Sequence, residues 1–373
     1  MRWTERRLDE LGFVGRGKSK HRPRDAEHLY GGPYPFIQTG DVKHADLYVT
    51  SYSQTYSEAG LAQSKLWPAG TLCITIAANI AETAILGMEA CFPDSVIGFV
   101  ADDSMSDARF VKYLFDTIKR QYQQVSQGAA QDNLSLEKLL AFKLRVPEPE
   151  VQRKIADVLS AYDDLIENNR RRMALLQESA RLLYREWFVR LRFPGHEHTP
   201  IVNGLPEGWE RKPLGEHAVL NYGRALKADE RADGPFPVYG SSGIVGTHDK
   251  PLVQGPGIVL GRKGNVGSVF WSSKDFYPID TVFFIDTATS NLYLYYALQD
   301  MHFISTDVAV PGLNRTLASS RPLIVPSRLI LQQFLELVTP IHDQMDKLVE
   351  MNQKLKAARD LLLPRLMSGE ITV

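Results

Sequence analysis

The chain repeats itself. That constrains the fold more than any single motif, because a duplicated sequence must build the same unit twice. GPYPFIQTGDV at 32–42 has its counterpart in GPFPVYGSSGIV at 234–245. Trp3, Leu8 and Gly12 are echoed loosely by Trp209, Leu214 and Gly215. GTLCITIAANIA at 70–81 parallels GIVLGRKGNVG at 257–267, which sets Asn79 against Asn265, and CFPDSVIGFV at 91–100 parallels FYPIDTVFFI at 276–285. Each half then gives a Tyr-bearing helical stretch (Phe110 to Tyr122, Leu292 to Asp300), a polar loop, and a Val-Pro stop at Val146-Pro147 or Val325-Pro326. Five pairs in one order point to an internal duplication whose second copy is the shorter.

After each Val-Pro stop the hydrophobic period changes. Ile155, Leu159, Tyr162, Ile166, Asn169, Met173, Leu176, Ala180, Leu183 and Trp187 alternate by four and three, which is a coiled-coil seam. Phe334, Val338, Ile341, Met345, Leu348, Asn352, Leu355, Arg359, Leu362 and Leu366 do the same. Each helix can run roughly 40 residues, ~60 Å at 1.5 Å per residue, with a kink expected at Pro340. Neither stripe is covered by its own half, so the two helices are expected to pack on each other. Two similar halves related by a pseudo-two-fold axis require them to be antiparallel, with a globule at each end of the rod. Asn169 and Asn352 sit in the seam, where a polar residue fixes register at some cost in stability. On this reading Asn169→Leu stabilises the rod and loosens its alignment; the alternative is that the asparagines turn to solvent.

The globules read as short strands with turn signals: Pro35–Gln38, Thr71–Ile76, Val96–Val100, Val238–Gly240, Ile258–Leu260 and Val282–Ile285, with one or two helices per half. The fold class is α+β. Expected boundaries are a first globule at 1–147, a first spacer helix at 148–191, a linker at 192–208, a second globule at 209–326, and a second spacer helix with its tail at 327–373. The linker holds His196, Glu197 and His198, but adjacent positions in a solvated segment do not preorganise a metal site.

Composition removes several function classes. Lys and Arg (43) nearly cancel Asp and Glu (44), so a globally basic nucleic-acid binder is excluded while a local basic face is not. Two cysteines, Cys73 and Cys91, allow no disulfide framework or Cys-based zinc finger. The opening MRWTERRLDE is charged where a secretory leader is apolar, and no run of ~18 apolar residues occurs. A cytoplasmic location without membrane contact is expected.

One motif misleads. Gly12 to Ser19 satisfies GxxxxGK[ST], yet a charged segment precedes it and Pro23 interrupts the segment after it, so the strand–loop–helix of a nucleotide site is not expected. The same stretch is better read as a basic loop. Residues 1–24 carry eight Lys or Arg against three acids, and Arg16, Lys18, Lys20, Arg22 and Arg24 can reach phosphates or guanine edges. In the second half Arg262, Lys263 and Asn265 lie on a glycine-closed tip, either a plain hairpin turn or an element that meets DNA. Asn314 and Arg315, with Gln131 and Asn133 in the first half, offer base-edge chemistry; a Leu-Asn turn capping a helix explains the first pair equally well. Gln38, Thr39, Asn79, Arg224, Lys227, Ser241 and Ser242 complete the candidate DNA contacts. Catalytic constellations are missing. There is no Asp/Asn-Pro-Pro-Tyr/Phe, no Gly-x-Ser-x-Gly, no His-Glu-x-x-His and no nuclease core.

Several segments together resemble the specificity subunits of type I restriction–modification enzymes, over essentially the whole chain. They are LAQSKLWPAGTLCITIAANIAETAIL (61–86), QDNLSLEKLLAFKLRVPEP (131–149), IADVLSAYDDLIENNRRRMALL (155–176), LLYREWFVRLRFPG (182–195), GLPEGWE (204–210) and LLLPRLMSGEITV (361–373). The resemblance implies two target recognition domains, each reading one half of a bipartite site on double-stranded DNA, and two helices that space them. It implies that two methyltransferase (modification) subunits dock on those helices and that restriction/translocase subunits join the full complex. It further implies that the chain is non-catalytic and binds no cofactor, S-adenosylmethionine, ATP and Mg belonging to the partners. Recognition loops differ most between members, so the contact residues above rest on chemistry alone. Two other readings stand beside this one: a coiled-coil protein-interaction adaptor without DNA specificity, and a specificity half cut from a fused methylase–nuclease.

Overall fold

The computed structural model describes residues 2–77, 80–127, 135–303 and 312–373, with side chains described outside 120–127. Two compact units divide it: Met1–Asn169 together with Met351–Val373, and Arg170–Glu350. In chain order the first half gives β1 (Trp3–Arg6), β2 (Gly12–Arg16), β3 (Tyr30–Phe36), β4 (Gln54–Tyr56), β5 (Leu72–Thr75), β6 (Thr83–Leu86), β7 (Val96–Ala101), helix α1 (Ala108–Gln127) and β8 (Leu144–Pro147). Helix α2 (Pro149–Tyr184) comes next. The second half gives β9 (Glu210–Pro213), β10 (Asn221–Tyr222), β11 (Phe236–Gly240), β12 (Gly243–His248), β13 (Gly257–Gly261), β14 (Val269–Ser272), β15 (Val282–Ile285), α3 (Leu292–Asp300) and β16 (Pro322–Val325). The chain ends in α4 (Arg328–Ser368).

The duplication is a duplication of topology. The main sheet of the first unit runs β2-β7-β5-β6, all antiparallel, and that of the second runs β10-β15-β13-β14, all antiparallel. A ribbon pairs the ends of each globule, β1 with β8 and β9 with β16. β3 pairs with β4 as β11 pairs with β12. The first sheet gains one further two-residue strand, Tyr48–Val49, parallel to β6. Central strands β5 and β13 are buried along their whole length, so both read as continuous apolar runs rather than as alternation.

The strand expected at Pro35–Gln38 is displaced. β3 ends at Phe36, and the Gln38 N–H donates to Asp41 Oδ2 at 2.8 Å, which closes the first turn of a short helix at Thr39–His44. α1 is opened by Asp107, whose Oδ1 accepts from the N–H groups of Arg109 (2.8 Å) and Phe110 (3.2 Å).

Every seam position expected in the two long helices is buried or half-buried. α2 begins on Pro149, where a missing N–H costs nothing, and continues into a π-helical turn at Arg185–Val189. α4 is helical without a break through Pro340 and stops at Gly369, whose φ of +79° suits the left-handed cap. A Cβ there would lie 2.8 Å from Trp3 Nε1, so the tail seats on the first globule only with glycine at 369.

In the first unit, Asn169 Nδ2 donates to Asn352 Oδ1 at 2.8 Å, and Asn352 Nδ2 donates to the carbonyl of Ile166 at 3.2 Å. The asparagines therefore face each other across the seam and do not turn to solvent. Further along, Arg359 donates to Asp163, which also accepts from the Tyr113 hydroxyl at 2.5 Å. Pairing 163 with 359 and 169 with 352 makes the helices antiparallel here. In the second unit Phe334 meets Trp187 and Phe188, with ring centroids 5.9 and 4.9 Å apart, and Met173 lines one cleft with Met345 and Val349. The segments are antiparallel there as well.

The segment expected at 192–208 to be a solvated linker is pinned together with the start of the second globule. Phe193, Leu205 and Trp209 are buried in the aromatic core of the second unit, because three large apolar side chains have more to gain there than the surrounding prolines and glycines lose. Among the described residues no group of three His, Cys, Asp or Glu is placed to hold a metal ion, and no described helix is long and apolar enough to cross a membrane.

Candidate nucleic-acid interface

The run that matches a phosphate-loop pattern is itself a strand. Gly12–Arg16 is β2, registered antiparallel on β7 with Gly12 opposite Ala101 and Arg16 opposite Ile97. β2 leads not into a helix N-terminus but into a loop folded onto the 92–95 turn. A Cβ on Gly17 would sit 2.2 Å from the Pro93 carbonyl, so glycine lets the backbone pass and Lys18 N–H reach the Phe92 carbonyl at 3.1 Å. Gln63 Oε1 accepts from the N–H groups of Lys20 (2.5 Å) and His21 (3.0 Å), and Ser64 Oγ donates to the Lys18 carbonyl at 2.8 Å.

With its backbone satisfied in this way, the loop directs Arg16, Lys18, Lys20, Arg22 and Arg24 to the surface. They are not equivalent. Arg24 is held by the Asp94 carboxylate at 2.9 and 3.0 Å, Arg16 donates to the Asp94 carbonyl, and Arg22 donates to the Ser19 carbonyl at 2.8 Å. No described carboxylate lies within 4.0 Å of the Lys18 or Lys20 ammonium groups. Lys65, which the sequence does not point to, joins them. Its Nζ stands 4.4 Å from the Phe13 ring centre and 3.7 Å from that of Trp67. Burial, and then the charge of Lys18, push its pKa down.

Gln38 and Thr39 do not join this loop in a hydrogen bond. Gln38 Nε2 donates to Gln54 Oε1 at 2.6 Å, and Thr39 opens the short helix. Asn79, Gln131 and Asn133 lie outside the described residues.

In the second unit β13 and β14 are antiparallel neighbours, but the tip between them is seven residues long and not a tight turn. The left-handed positions are Gly264 (φ +76°) and Gly267 (φ +80°), not Asn265. The N–H groups of Arg262 and Lys263 both donate to the Thr281 carbonyl, at 2.9 and 3.0 Å. Leu313 N–H donates to the Arg262 carbonyl at 2.8 Å, and Lys263 bridges to Gly312. That pairing zips the tip to the segment carrying Asn314 and Arg315. Asn265 Nδ2 donates to Ser242 Oγ at 3.1 Å, and Ser268 Oγ to the Ser241 carbonyl at 2.6 Å.

Arg262, Lys263, Asn265, Ser241, Ser242 and Arg315 are thus brought to one locality. Tyr222, absent from the sequence-based set, stands among them, with Arg262 and Arg315 Cζ 5.0 and 5.1 Å from its ring centre. Asn314 caps the helix Arg315–Ser319, its Oδ1 accepting from Leu317 N–H at 3.2 Å. Lys227 N–H is held by Glu230 Oε2 at 3.3 Å, with the side chain exposed. Arg224 repeats the geometry of Lys18. It comes after a glycine whose Cβ would meet the Ile279 carbonyl at 2.1 Å, and its N–H donates to the Pro278 carbonyl at 3.0 Å. Lys65, Phe13 and Tyr222 carry no motif of their own and lie outside the expected strands and the quoted repeat pairs, so the sequence offered no signal for them.

Comparison with known proteins agrees with this architecture. The family model for the type I restriction modification DNA specificity domain matches residues 1–178 and again 206–354. The chain is 25% identical over its full length to the specificity subunit of the type I restriction enzyme MjaIX of Methanocaldococcus jannaschii, covering 94% of that protein. It is 21% identical over 66% of its length to the specificity subunit of the type I restriction enzyme HindI of Haemophilus influenzae, covering 72% of it. The crystal structure of the S subunit of a type I restriction–modification system from M. genitalium shares the fold, with a TM-score of 0.60, 18% identity and 98% of this chain against 96% of that one. Two copies of one α+β globule, two long helices that pair antiparallel, and a family model that fits twice place this chain in the type I restriction–modification DNA specificity family.

Proposed function

We propose that this chain is the non-catalytic DNA-reading subunit of a type I restriction–modification enzyme, and that its two globules, 1–147 and 209–326, each read one half of a bipartite site on double-stranded DNA. One observation carries the reading. The same sheet is built twice, and beside the same strand of each copy stand cations with no described carboxylate partner, exposed Lys18 in one and half-buried Arg262 and exposed Arg315 in the other. Cations left without such partners in a chain of net charge −1 are suited to a polyanion. The loop at 16–24, the tip at 262–265 and Arg315 are the proposed contacts, with Arg224 placed like Lys18. The Gln38 side chain is held by Gln54 and that of Asn314 caps a helix, which accounts for both without DNA.

The α2–α4 pair is the proposed seat of two methyltransferase subunits, which bring S-adenosylmethionine. Restriction subunits bring the ATP- and Mg-dependent steps. A coiled-coil adaptor without DNA specificity is not favoured, because the family is defined by DNA specificity. The test is co-expression with the partner methyltransferase and genome-wide methylation mapping. Exchange of residues 1–147 for the first globule of another member should change one half of the methylated sequence and leave the other intact. A change in both halves would overturn the two-module reading.

A further inference from the structure

β2 and β10 occupy the same place in the two main sheets: each lies at the end of its strand order, with only one neighbour. Each also presents an aromatic ring to solvent. Phe13 on β2 is 56% exposed and Tyr222 on β10 is 50% exposed. Beside each ring stand cations delivered by other segments. Lys65 comes from the chain after β4, and Arg262 and Arg315 come from the β13–β14 tip and the helix after α3. No described carboxylate lies within 4.0 Å of these three cations. The Arg262 guanidinium is fixed further by a 3.0 Å bond to the Asp280 carbonyl.

We infer that Phe13 with Lys65, and Tyr222 with Arg262 and Arg315, are pads that grip the sugar–phosphate backbone, one in each half-site. The inference rests on the DNA-reading function proposed above and assigns a role within it. Its logic is that of the two half-sites. Two half-sites of a bipartite sequence differ in their bases and share only the backbone. Tyr222 occupies the place of Arg16 in the repeat rather than that of Phe13, and the cations come from different segments, so each globule reaches a ring with a cation beside it in its own way, and such a pairing is fitted to what both half-sites share. The chemistry agrees. A deoxyribose offers an apolar face to a ring, and the phosphate beside it offers oxygens to the cation. Lysine, which stands in the first pad, is a point charge without the planar fork that reads guanine, and it serves a phosphate well. In the second pad the two guanidinium carbons, 5.0 and 5.1 Å from one ring centre, are no more than about 10 Å apart, a span that suits one phosphate or two successive ones. The competing account is that these charges only protect exposed sheet edges from pairing with another chain.

The experiment uses the full chain assembled with its co-expressed methyltransferase subunits. The probes are a duplex carrying the mapped methylation site and a shuffled duplex of equal length, titrated over a salt series. Lys65→Gln, Arg262→Gln and Arg315→Gln should each make the slope of log affinity against log salt shallower by about 0.9. Each should weaken both duplexes by the same factor and leave the methylated sequence unchanged. Arg262→Lys, which keeps the charge, should keep the slope. Tyr222→Leu and Phe13→Leu should weaken both duplexes, and Tyr222→Phe, which keeps the ring, should lose less than Tyr222→Leu. An altered methylated sequence, or a loss confined to the cognate duplex, would show base reading and overturn the inference. Unchanged slopes with new self-association would leave edge protection as the role. An unsubstituted complex that does not distinguish the two duplexes would instead refute the DNA-reading function itself.

Discussion

The paired asparagines allow the sequence expectation for Asn169 to be sharpened and reversed in sign. From the seam alone, Asn169→Leu should stabilise the helix pair. In the structure Asn169 is 3% exposed and donates to Asn352 Oδ1 at 2.8 Å. Replacing it alone leaves that oxygen facing a leucine, and a buried polar atom deprived of its partner costs ~1–3 kcal/mol. Asn352→Leu likewise removes the acceptor of Asn169 and the 3.2 Å bond to Ile166. Each single substitution should therefore destabilise by ~1 kcal/mol after the gain from burying leucine is counted. The double substitution removes both orphaned groups together and should recover most of the loss, a coupling of ~1.5 kcal/mol. Urea unfolding of the four proteins, followed by far-UV circular dichroism, measures that cycle. A coupling within ~0.5 kcal/mol of zero would mean that the amides do not act as a pair. Methylation mapping reads the functional side: the double variant should blur the spacing between half-sites, because the polar pair that fixes register is gone.

Three further outcomes are expected. Arg359→Met strands Asp163, 3% exposed, in the seam with the Tyr113 hydroxyl as its one hydrogen-bond partner among the described residues, and should lower stability by ~3 kcal/mol in the same urea assay. His342 is buried with its Nε2 2.7 Å from the Tyr296 hydroxyl, and burial, opposed only by the charge of Asp343, pushes its pKa down from 6.5 to about 4. The unfolded chain then binds a proton that the folded one refuses. Stability is complete above pH 6.5 and falls by up to ~3 kcal/mol as pH drops toward 4, and His342→Phe should flatten that part of the pH–stability curve. Gly369→Ala should lower the melting temperature of the first unit, because a Cβ at 369 meets Trp3 Nε1 at 2.8 Å and φ is +79° there.

Much of the architecture was legible in the sequence because it is periodic or repeated. The four-three alternation of the long helices, the fully apolar central strands and the ordered repeat pairs are patterns among near neighbours, and such patterns need no knowledge of the fold. The failures were local competitions. Gln38 belongs to a helix start because Asp41 is three residues away, and the stretch 193–210 is pinned because Phe193, Leu205 and Trp209 find an aromatic core that no local rule displays. The tertiary structure alone decided which groups meet. Lys65 reaches Phe13 across 52 positions of chain, Tyr222 collects arginines from two later segments, and Asp163 finds Arg359 in the other helix. Whether a cation stands over a ring, in a salt bridge or in water depends on where distant backbone is carried by sheet register and helix packing. Sequence spacing contains none of that distance information.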